Sequence, residues 1–361
     1  MATVGEMSRV TATAACGVLA LTLIGAAPGA SFGSGPPRTV AAADIPLPPA
    51  GRANIGYSVV TQGSYDAAGQ LVLVAPDGGH RALGATRANE QVLDTSTDAR
   101  TVLTVTPLTY PRQSITTWNL GAGTKTSFAI GATTSIALVS GGILTVDYGT
   151  GTTRVRSTTN GAVIRTYPTV AGQAEAAVTP DGSTVLQRVT AGTAVRSAAT
   201  GAVTRTVADP AGHWCFPRRL WDSTSAVLSC ESTDPALPRQ YRVVLSTGAT
   251  SAVTPAGASA VWNTTPLRVV SIPEATGIPN YVGYVDAGGL RGLNLPGEPD
   301  DPHHRLTGAR GSSIYVFWNG ETGTPSLRRY DLSTKALTSL IGPGSLSPAP
   351  ITSGRTIDAL S

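Results

Sequence analysis

Short apolar runs separated by turns recur along the whole chain after residue 43. Within the runs, apolar and polar positions alternate over a few residues, which is the pattern of half-buried strands. Valine and threonine are frequent in them, and both favour pleated strands, whereas glycine and proline mark the turns. No long stretch with the helical period follows residue 43. The pattern predicts an all-β protein with many short strands.

One hairpin pattern repeats along the sequence. Residues 155–166 (VRSTTNGAVIRT) and 195–206 (VRSAATGAVTRT) share eight of twelve positions at an offset of 40. Weaker copies have turns that are 39 to 47 residues apart. The predicted turns centre near Gly78, Ala122, Gly161, Gly201, Gly248, Gly289 and Thr334.

A second pair of strands precedes most of these hairpins, for example at 93–105, 176–189 and 313–318. Each repeat therefore has about four strands, and a four-stranded unit of about 40–45 residues is the blade of a β-propeller. Seven hairpins predict a seven-bladed β-propeller with four-stranded antiparallel blades. Six or eight blades would require one hairpin to be spurious or one to be missed.

The two ends of the chain are predicted to share the first blade. Only three strands, at 55–61, 70–75 and 81–84, surround the first turn, and one spare β-prone run remains at 350–360. An open sheet edge promotes aggregation, so we expect the C-terminal strand to close the first blade as its innermost strand. Residues 44–361 then form a single propeller domain, which we expect to be a monomer.

Three short motifs carry a resemblance to a known repeat class. The segment TPDGSTVLQRV at 179–189 resembles the Ser/Thr-Pro-Asp-Gly signature of TolB-type, WD40-like propeller repeats. Trp118-Asn119-Leu120 and Tyr330-Asp331-Leu332 stand where such repeats carry an aromatic residue followed by aspartate. The resemblance covers most of the chain after residue 43. The Gly-His motif of true WD40 repeats is absent, so its His-Asp network and its partners are not transferred.

The first 43 residues differ from the rest. Arg9 precedes an apolar stretch at 10–27, and small residues follow. This order is typical of a secretory signal peptide, with cleavage after Ala30 or Ala43. A single membrane anchor is the alternative, although about 18 residues is the lower limit for a span. We interpret residues 1–43 as a cleaved signal peptide and short linker. The protein is then secreted, with no membrane span after cleavage.

Two cysteines, Cys215 and Cys230, remain after that segment. An even number of cysteines in an exported protein favours a disulfide. They are 15 residues apart and flank a predicted turn, so they can lie on neighbouring strands.

Charge and motifs exclude several functions. The net charge of +4 is spread along the chain, and no cluster of basic residues with interleaved aromatics indicates nucleic-acid binding. The Gly-x-Ser-x-Gly elbow, the His-Glu-x-x-His motif and the phosphate-binding glycine loops are all absent. No cofactor and no metal are predicted.

The long connections are predicted to gather on one face of the propeller. They are the links between second and third strands and the links between blades, at 107–113, 231–239, 273–280, 319–326, 209–213 and 297–305. Function is usually located on loops that a rigid scaffold positions.

The densest polar group lies in one of these links and comprises Asp300, Asp301, His303 and His304. Such residues bind metals or act as acid and base. A solvated loop between Pro299 and Pro302 is the alternative, and we prefer it.

Tryptophan side chains in a propeller either stack on sugars or peptides or pack between blades. We favour packing for each of Trp214, Trp221, Trp262 and Trp318. The candidate ligand-binding set is Asp300, Asp301, His303, His304 and Trp318.

Together these observations predict a non-catalytic binding or protein-interaction scaffold for an unidentified protein or saccharide. The alternative is a propeller hydrolase or lyase that acts on a saccharide or lactone at the channel mouth. Its contributors would come from several blades: Asp147, Glu231, Glu274, Asp300 and His303.

Overall fold

The computed structural model describes residues 45–49, 51, 56–63, 66–168, 175–179, 181–222, 224–232, 240–253, 260–263, 268–271, 282–286, 289–292, 304–318, 326–341 and 351–357. All of these lie within one compact unit, Phe32–Ser361. The described residues form 28 strands, which are labelled in chain order. No helix in the described ranges is long and apolar enough to cross a membrane.

The first four sheets are built as follows, from one edge to the other. The first contains β28 (Ile351–Thr356), β1 (Ser58–Gln62), β2 (Gln70–Val74) and β3 (His80–Ala85). The second contains β4 (Gln91–Thr95), β5 (Thr101–Pro107), β6 (Arg112–Asn119) and β7 (Thr124–Gly131). The third contains β8 (Thr133–Val139), β9 (Gly142–Asp147), β10 (Thr153–Arg156) and β11 (Val163–Thr166). The fourth contains β12 (Ala176–Val178), β13 (Thr184–Val189), β14 (Gly192–Ser197) and β15 (Val203–Val207).

Three more sheets follow the same order. The fifth contains β16 (His213–Asp222), β17 (Ser225–Ser232), β18 (Gln240–Val244) and β19 (Thr250–Ala252). The sixth contains β20 (Ala260–Asn263), β21 (Arg268–Ser271), β22 (Val282–Asp286) and β23 (Gly289–Gly292). The seventh contains β24 (His304–Arg310), β25 (Ser313–Trp318), β26 (Ser326–Asp331) and β27 (Leu337–Ile341).

The first strands of the sheets form the inner wall of a ring. Each lies against the first strand of the next sheet, and β24 lies against β28. Every sheet has four strands, and each strand runs antiparallel to its neighbours. The predicted all-β propeller with four-stranded antiparallel blades is therefore confirmed. The C-terminal strand β28 supplies the inner strand of the first sheet, because it pairs with β1 from Ser58↔Thr356 to Gln62↔Ile351.

The hydrophobic core lies between neighbouring sheets. Between the first two, Val59 and Leu71 pack with Val102 and Trp118, and all four are buried. Each fully buried aliphatic side chain stabilises the fold by roughly 1.5–3 kcal/mol. The core is thus divided into slabs, and each slab holds two blades together.

The predicted number of seven blades is corrected. Side chains are described for six sheets, whereas the sixth sheet, β20–β23, is described by its backbone and by buried Val282 and Gly283. The described core clusters likewise join six pairs of neighbouring sheets, and none of them joins the fifth sheet to the sixth. Six packed blades are therefore shown in place of the seven predicted, and the sixth sheet shares their four-stranded antiparallel order.

The inner strands are tied together by hydrogen bonds to their edges. An edge strand exposes unpaired N–H groups that need acceptors. Three of these N–H groups donate to a side chain of the preceding inner strand: Val92 to Ser353 Oγ at 2.8 Å, Leu138 to Asp94 Oδ2 at 2.8 Å, and Ala176 to Ser135 Oγ at 2.9 Å. Ser353, Asp94 and Ser135 on the inner wall therefore have a structural role.

Asp94 joins three blades, since it also pairs with Arg355 at 3.3 Å. We expect Asp94→Ala to lower the free energy of unfolding by about 1–2 kcal/mol, because the Leu138 N–H then loses its acceptor. Arg355→Ala is expected to cost less than about 1 kcal/mol, because Arg355 is 53% exposed and such pairs are weak. Urea unfolding of both variants, with Asp94→Asn as the variant that keeps an acceptor oxygen, measures this. Equal losses for Asp94→Ala and Arg355→Ala would contradict it.

The repeated hairpin sequence has a physical basis in its first arginine. Arg156 donates from Nη1 to the carbonyl of Gly161, and Arg196 donates from Nη1 to the carbonyl of Gly201, each at 3.2 Å. These glycines have φ of +72° and +73°, a conformation that favours glycine. The arginine thus fixes the turn that the glycine permits. Burial in turn lowers the pKa of Arg196.

The second arginine of the hairpin reaches the next blade. Arg165 on β11 donates to the carbonyl of Ala198 at 3.0 Å, and Arg205 on β15 donates to the carbonyl of Thr247 at 3.0 Å. Both acceptors lie in the turn between the third and fourth strands of the following sheet. The outer strands are therefore linked to their neighbours as the inner strands are.

Candidate functional site

One end of the ring, here called the loop face, carries the connections between second and third strands and between successive sheets. Among the described residues it includes 86–90, 108–111, 148–152 and 208–212. Antiparallel strands fix which connections emerge together, because successive connections alternate between the two ends of a sheet.

Exposed aromatic side chains lie on the loop face. Tyr110, between β5 and β6, is 79% exposed. Tyr148, directly after β9, is 57% exposed, and Trp214, near the start of β16, is 54% exposed. We call these three residues the loop-face aromatics. The other large hydrophobic side chains that are exposed in the described part of the chain are Leu108, Val163, Ile164 and Val203.

Trp214 lies on an inner strand and contacts a buried ion pair. The guanidinium carbon of Arg188 lies 5.6 Å from the centroid of the indole ring. Arg188 Nη1 donates to both carboxylate oxygens of Asp209, at 2.7 and 2.6 Å. The side chains of Arg188 and Asp209 are only 7% and 16% exposed. The charge of Arg188 is therefore matched within the protein, and its position beside the indole is fixed.

His213, the residue before Trp214, is also held in place. Its Nδ1 lies 2.9 Å from the carbonyl of Ala211, which only accepts, so Nδ1 carries the proton. Its Nε2 can then accept from the hydroxyl of Tyr241 at 3.3 Å, and the two rings meet edge to face at 5.0 Å. Burial raises the pKa of Tyr241, so this hydroxyl stays protonated.

Cys215, the residue after Trp214, forms the predicted disulfide with Cys230. The two cysteines stand directly opposite each other on β16 and β17, with Cα atoms 4.0 Å apart. Both are buried in the core between the fourth and fifth sheets. The prediction of this pair is confirmed, and the cross-link fixes the backbone on which Trp214 stands.

The predicted ligand-binding set is described in part. Asp300, Asp301 and His303 lie outside the described residues. His304 begins β24 and Trp318 ends β25, and the two are cross-strand partners at the loop-face end of the seventh sheet. The structure describes both by their backbone. Their role in ligand binding stays a prediction.

The residues predicted for a propeller enzyme are also placed only in part. Asp147 pairs with Arg154, and Glu231 is exposed on β17 opposite Trp214. Glu274 lies outside the described residues. Within the described ranges, no group of three or more histidine, cysteine, aspartate or glutamate residues could hold a metal ion.

The expectation that Trp214 packs between blades is wrong, because its ring is more than half exposed. Arg188 was not predicted from the sequence. One signal was present: Arg188 alternates with Leu186 and Thr184 along β13, and Leu186 belongs to the core. A charged residue in a core-facing position requires a partner, which Asp209 provides.

No protein-family model and no curated protein match the chain. Solved structures do. The β-propeller domain of the Trilobed protease from Pyrococcus furiosus is 10% identical, covers 80% of this chain and 95% of that domain, and superposes with a TM-score of 0.55. The periplasmic gluconolactonase PpgL from Pseudomonas aeruginosa is 15% identical, covers 84% of this chain and 100% of that protein, and superposes with a TM-score of 0.50. At such identities the likeness shows the fold alone. The β-propeller part of the predicted resemblance is thus confirmed, whereas the TolB type stays a prediction: this chain is similar to β-propellers of otherwise different proteins.

Proposed function

We propose that the chain is an exported binding scaffold that recognises its ligand through the loop face. The observation that carries this proposal is that the loop-face aromatics, Tyr110, Tyr148 and Trp214, all lie at the same end of the ring and are all more than half exposed. Aromatic side chains are enriched where proteins bind ligands, because a large rigid ring buries much area at little cost in conformational entropy.

The disulfide supports export. Disulfides persist in oxidising compartments and are rare in the cytosol. Cys215–Cys230 is therefore compatible with the secretion that residues 1–43 predict.

Binding accounts for the described loop face better than catalysis does. Acid–base catalysis needs a titratable group that can reach the reacting atoms. The carboxylates of Asp147 and Asp209 are each paired with an arginine, Arg154 and Arg188. Asp209 thereby holds Arg188 beside the exposed ring of Trp214.

The experiment measures retention of the purified mature protein on envelopes isolated from the producing cells. We expect the triple variant Tyr110→Ser, Tyr148→Ser, Trp214→Ala to lose retention by about tenfold or more, because truncating central aromatic residues removes most of the binding energy of a site. Exposed positions cost little stability, so circular dichroism should show an intact fold.

A matched control variant replaces three exposed residues of the outer strands, Val163→Ser, Ile164→Ser and Val203→Ser. It should be retained like the unmodified protein. Equal retention of the loop-face variant and the unmodified protein would refute the proposed function.

A further inference from the structure

We infer that Trp214 and the Arg188–Asp209 pair form a binding subsite for a sugar ring of a neutral polysaccharide. This inference rests on the proposed function and names its ligand. Three properties of the subsite lead to it: an exposed flat ring, polar groups beside that ring, and an arginine whose charge is matched within the protein.

The shape of the subsite fits a pyranose. A pyranose ring has a face of C–H groups and an edge of hydroxyls, so it can cover an indole and also bind polar groups beside it. Trp214 offers the exposed indole, and Phe216 extends the aromatic surface at a centroid distance of 5.4 Å. The buried Arg188–Asp209 pair lies at the face of the ring, and the exposed carboxylate of Glu231 stands opposite Trp214, so a hydrogen-bond acceptor adjoins the apolar surface. A few fixed polar groups beside an aromatic surface are typical of small-molecule sites.

The charges of the subsite select a neutral ligand. A cationic ligand would compete with the Arg188 guanidinium, which already lies 5.6 Å from the ring centroid. An anionic ligand would gain little from Arg188, because both oxygens of Asp209 already bind it. Glu231, exposed directly opposite Trp214, adds a negative charge that repels an anion.

The subsite is also held rigid before any ligand arrives. The Cys215–Cys230 disulfide fixes β16 directly after Trp214. Directly before Trp214, His213 is held by the carbonyl of Ala211 and the hydroxyl of Tyr241. A preformed site avoids the entropy cost of ordering side chains on binding.

The test is binding of the purified mature protein to immobilised oligosaccharides. The probes are cellohexaose, chitohexaose, xylohexaose and mannohexaose as neutral chains, oligogalacturonate as an acidic chain, and decaproline as a neutral peptide. We expect binding to at least one neutral chain, with an affinity that falls about tenfold or more in Trp214→Ala. Trp214→Phe keeps a ring and should lose less than Trp214→Ala. Val203→Ser, on an outer strand, should bind like the unmodified protein.

The inference is overturned if none of the neutral chains binds, if only oligogalacturonate or decaproline binds, or if Trp214→Ala binds a neutral chain as well as the unmodified protein does. The scaffold function can survive each of these results, because envelope retention tests it through all three loop-face aromatics. Loss of retention in the triple variant without binding to neutral sugars would leave a binding face for a different ligand.

Discussion

A chain that ends at residue 350, and therefore lacks β28, is expected to lose its cooperative unfolding transition. β28 pairs with β1 over the full length of β1, and its hydroxyls bond across at Thr356 to Ser58 (2.9 Å) and at Ser353 to Thr61 (2.6 Å). Ile351, the first residue of β28, is also buried. Losing this strand removes on the order of 5 kcal/mol or more of apolar burial and hydrogen bonding, which is comparable with the whole stability of a typical domain.

Thermal unfolding followed by circular dichroism measures this loss, and hydrogen exchange locates it. The protection of backbone amides against exchange should fall first in β1 and β2, and later in the fourth sheet. A chain that ends at Ile357 keeps β28 and is the matched control. An added peptide of residues 346–361 should restore part of the transition, because a strand can pair without a covalent link. An unchanged melting temperature after truncation at residue 350 would show that β28 does not close the ring.

The double variant Cys215→Ser, Cys230→Ser is expected to unfold with about 3 kcal/mol less free energy than the unmodified protein. The cross-link closes a loop with a sequence separation of 15 residues, and the chain-entropy model gives about 3 kcal/mol for a loop of that length. The serine hydroxyls would also enter a core that holds Leu186 and Leu228, which adds to the loss.

Guanidinium unfolding under oxidising conditions measures the effect. Val203→Ser, at an exposed position of an outer strand, is the control and should leave the midpoint nearly unchanged. Reduction of the unmodified protein should lower its midpoint toward that of the double variant. If the double variant and the unmodified protein unfold at the same midpoint in the absence of reductant, the disulfide does not stabilise the fold.

The hairpins could be predicted from the sequence because their turns depend on local chemistry. Gly161, Gly201 and Gly248 have φ between +72° and +78°, and each lies between the third and fourth strands of a sheet. A residue that permits positive φ must stand at such turns, so the period of the turns reveals the period of the blades. The pairing of Cys215 with Cys230 followed from the same reasoning, since the two flank one hairpin of neighbouring strands.

The candidate site could not be predicted in the same way, because it depends on contacts between blades. Arg188 and Trp214 belong to different sheets, and their approach at 5.6 Å depends on how the fourth blade packs against the fifth. A local pattern does not contain that information. Most candidate residues named from the sequence therefore came from the polar cluster at 300–304, whose members are adjacent in sequence, and not from residues that only the ring brings together.

The arginine contacts between outer strands have a consequence for how such a ring can diverge after duplication. Arg165 and Arg205 bind backbone carbonyls of the next blade, and every residue type provides a carbonyl. Only one side chain of each contact is therefore constrained, and the turn that accepts it is free to change. Copies of one ancestral repeat could lose most of their shared sequence while neighbouring blades stayed joined.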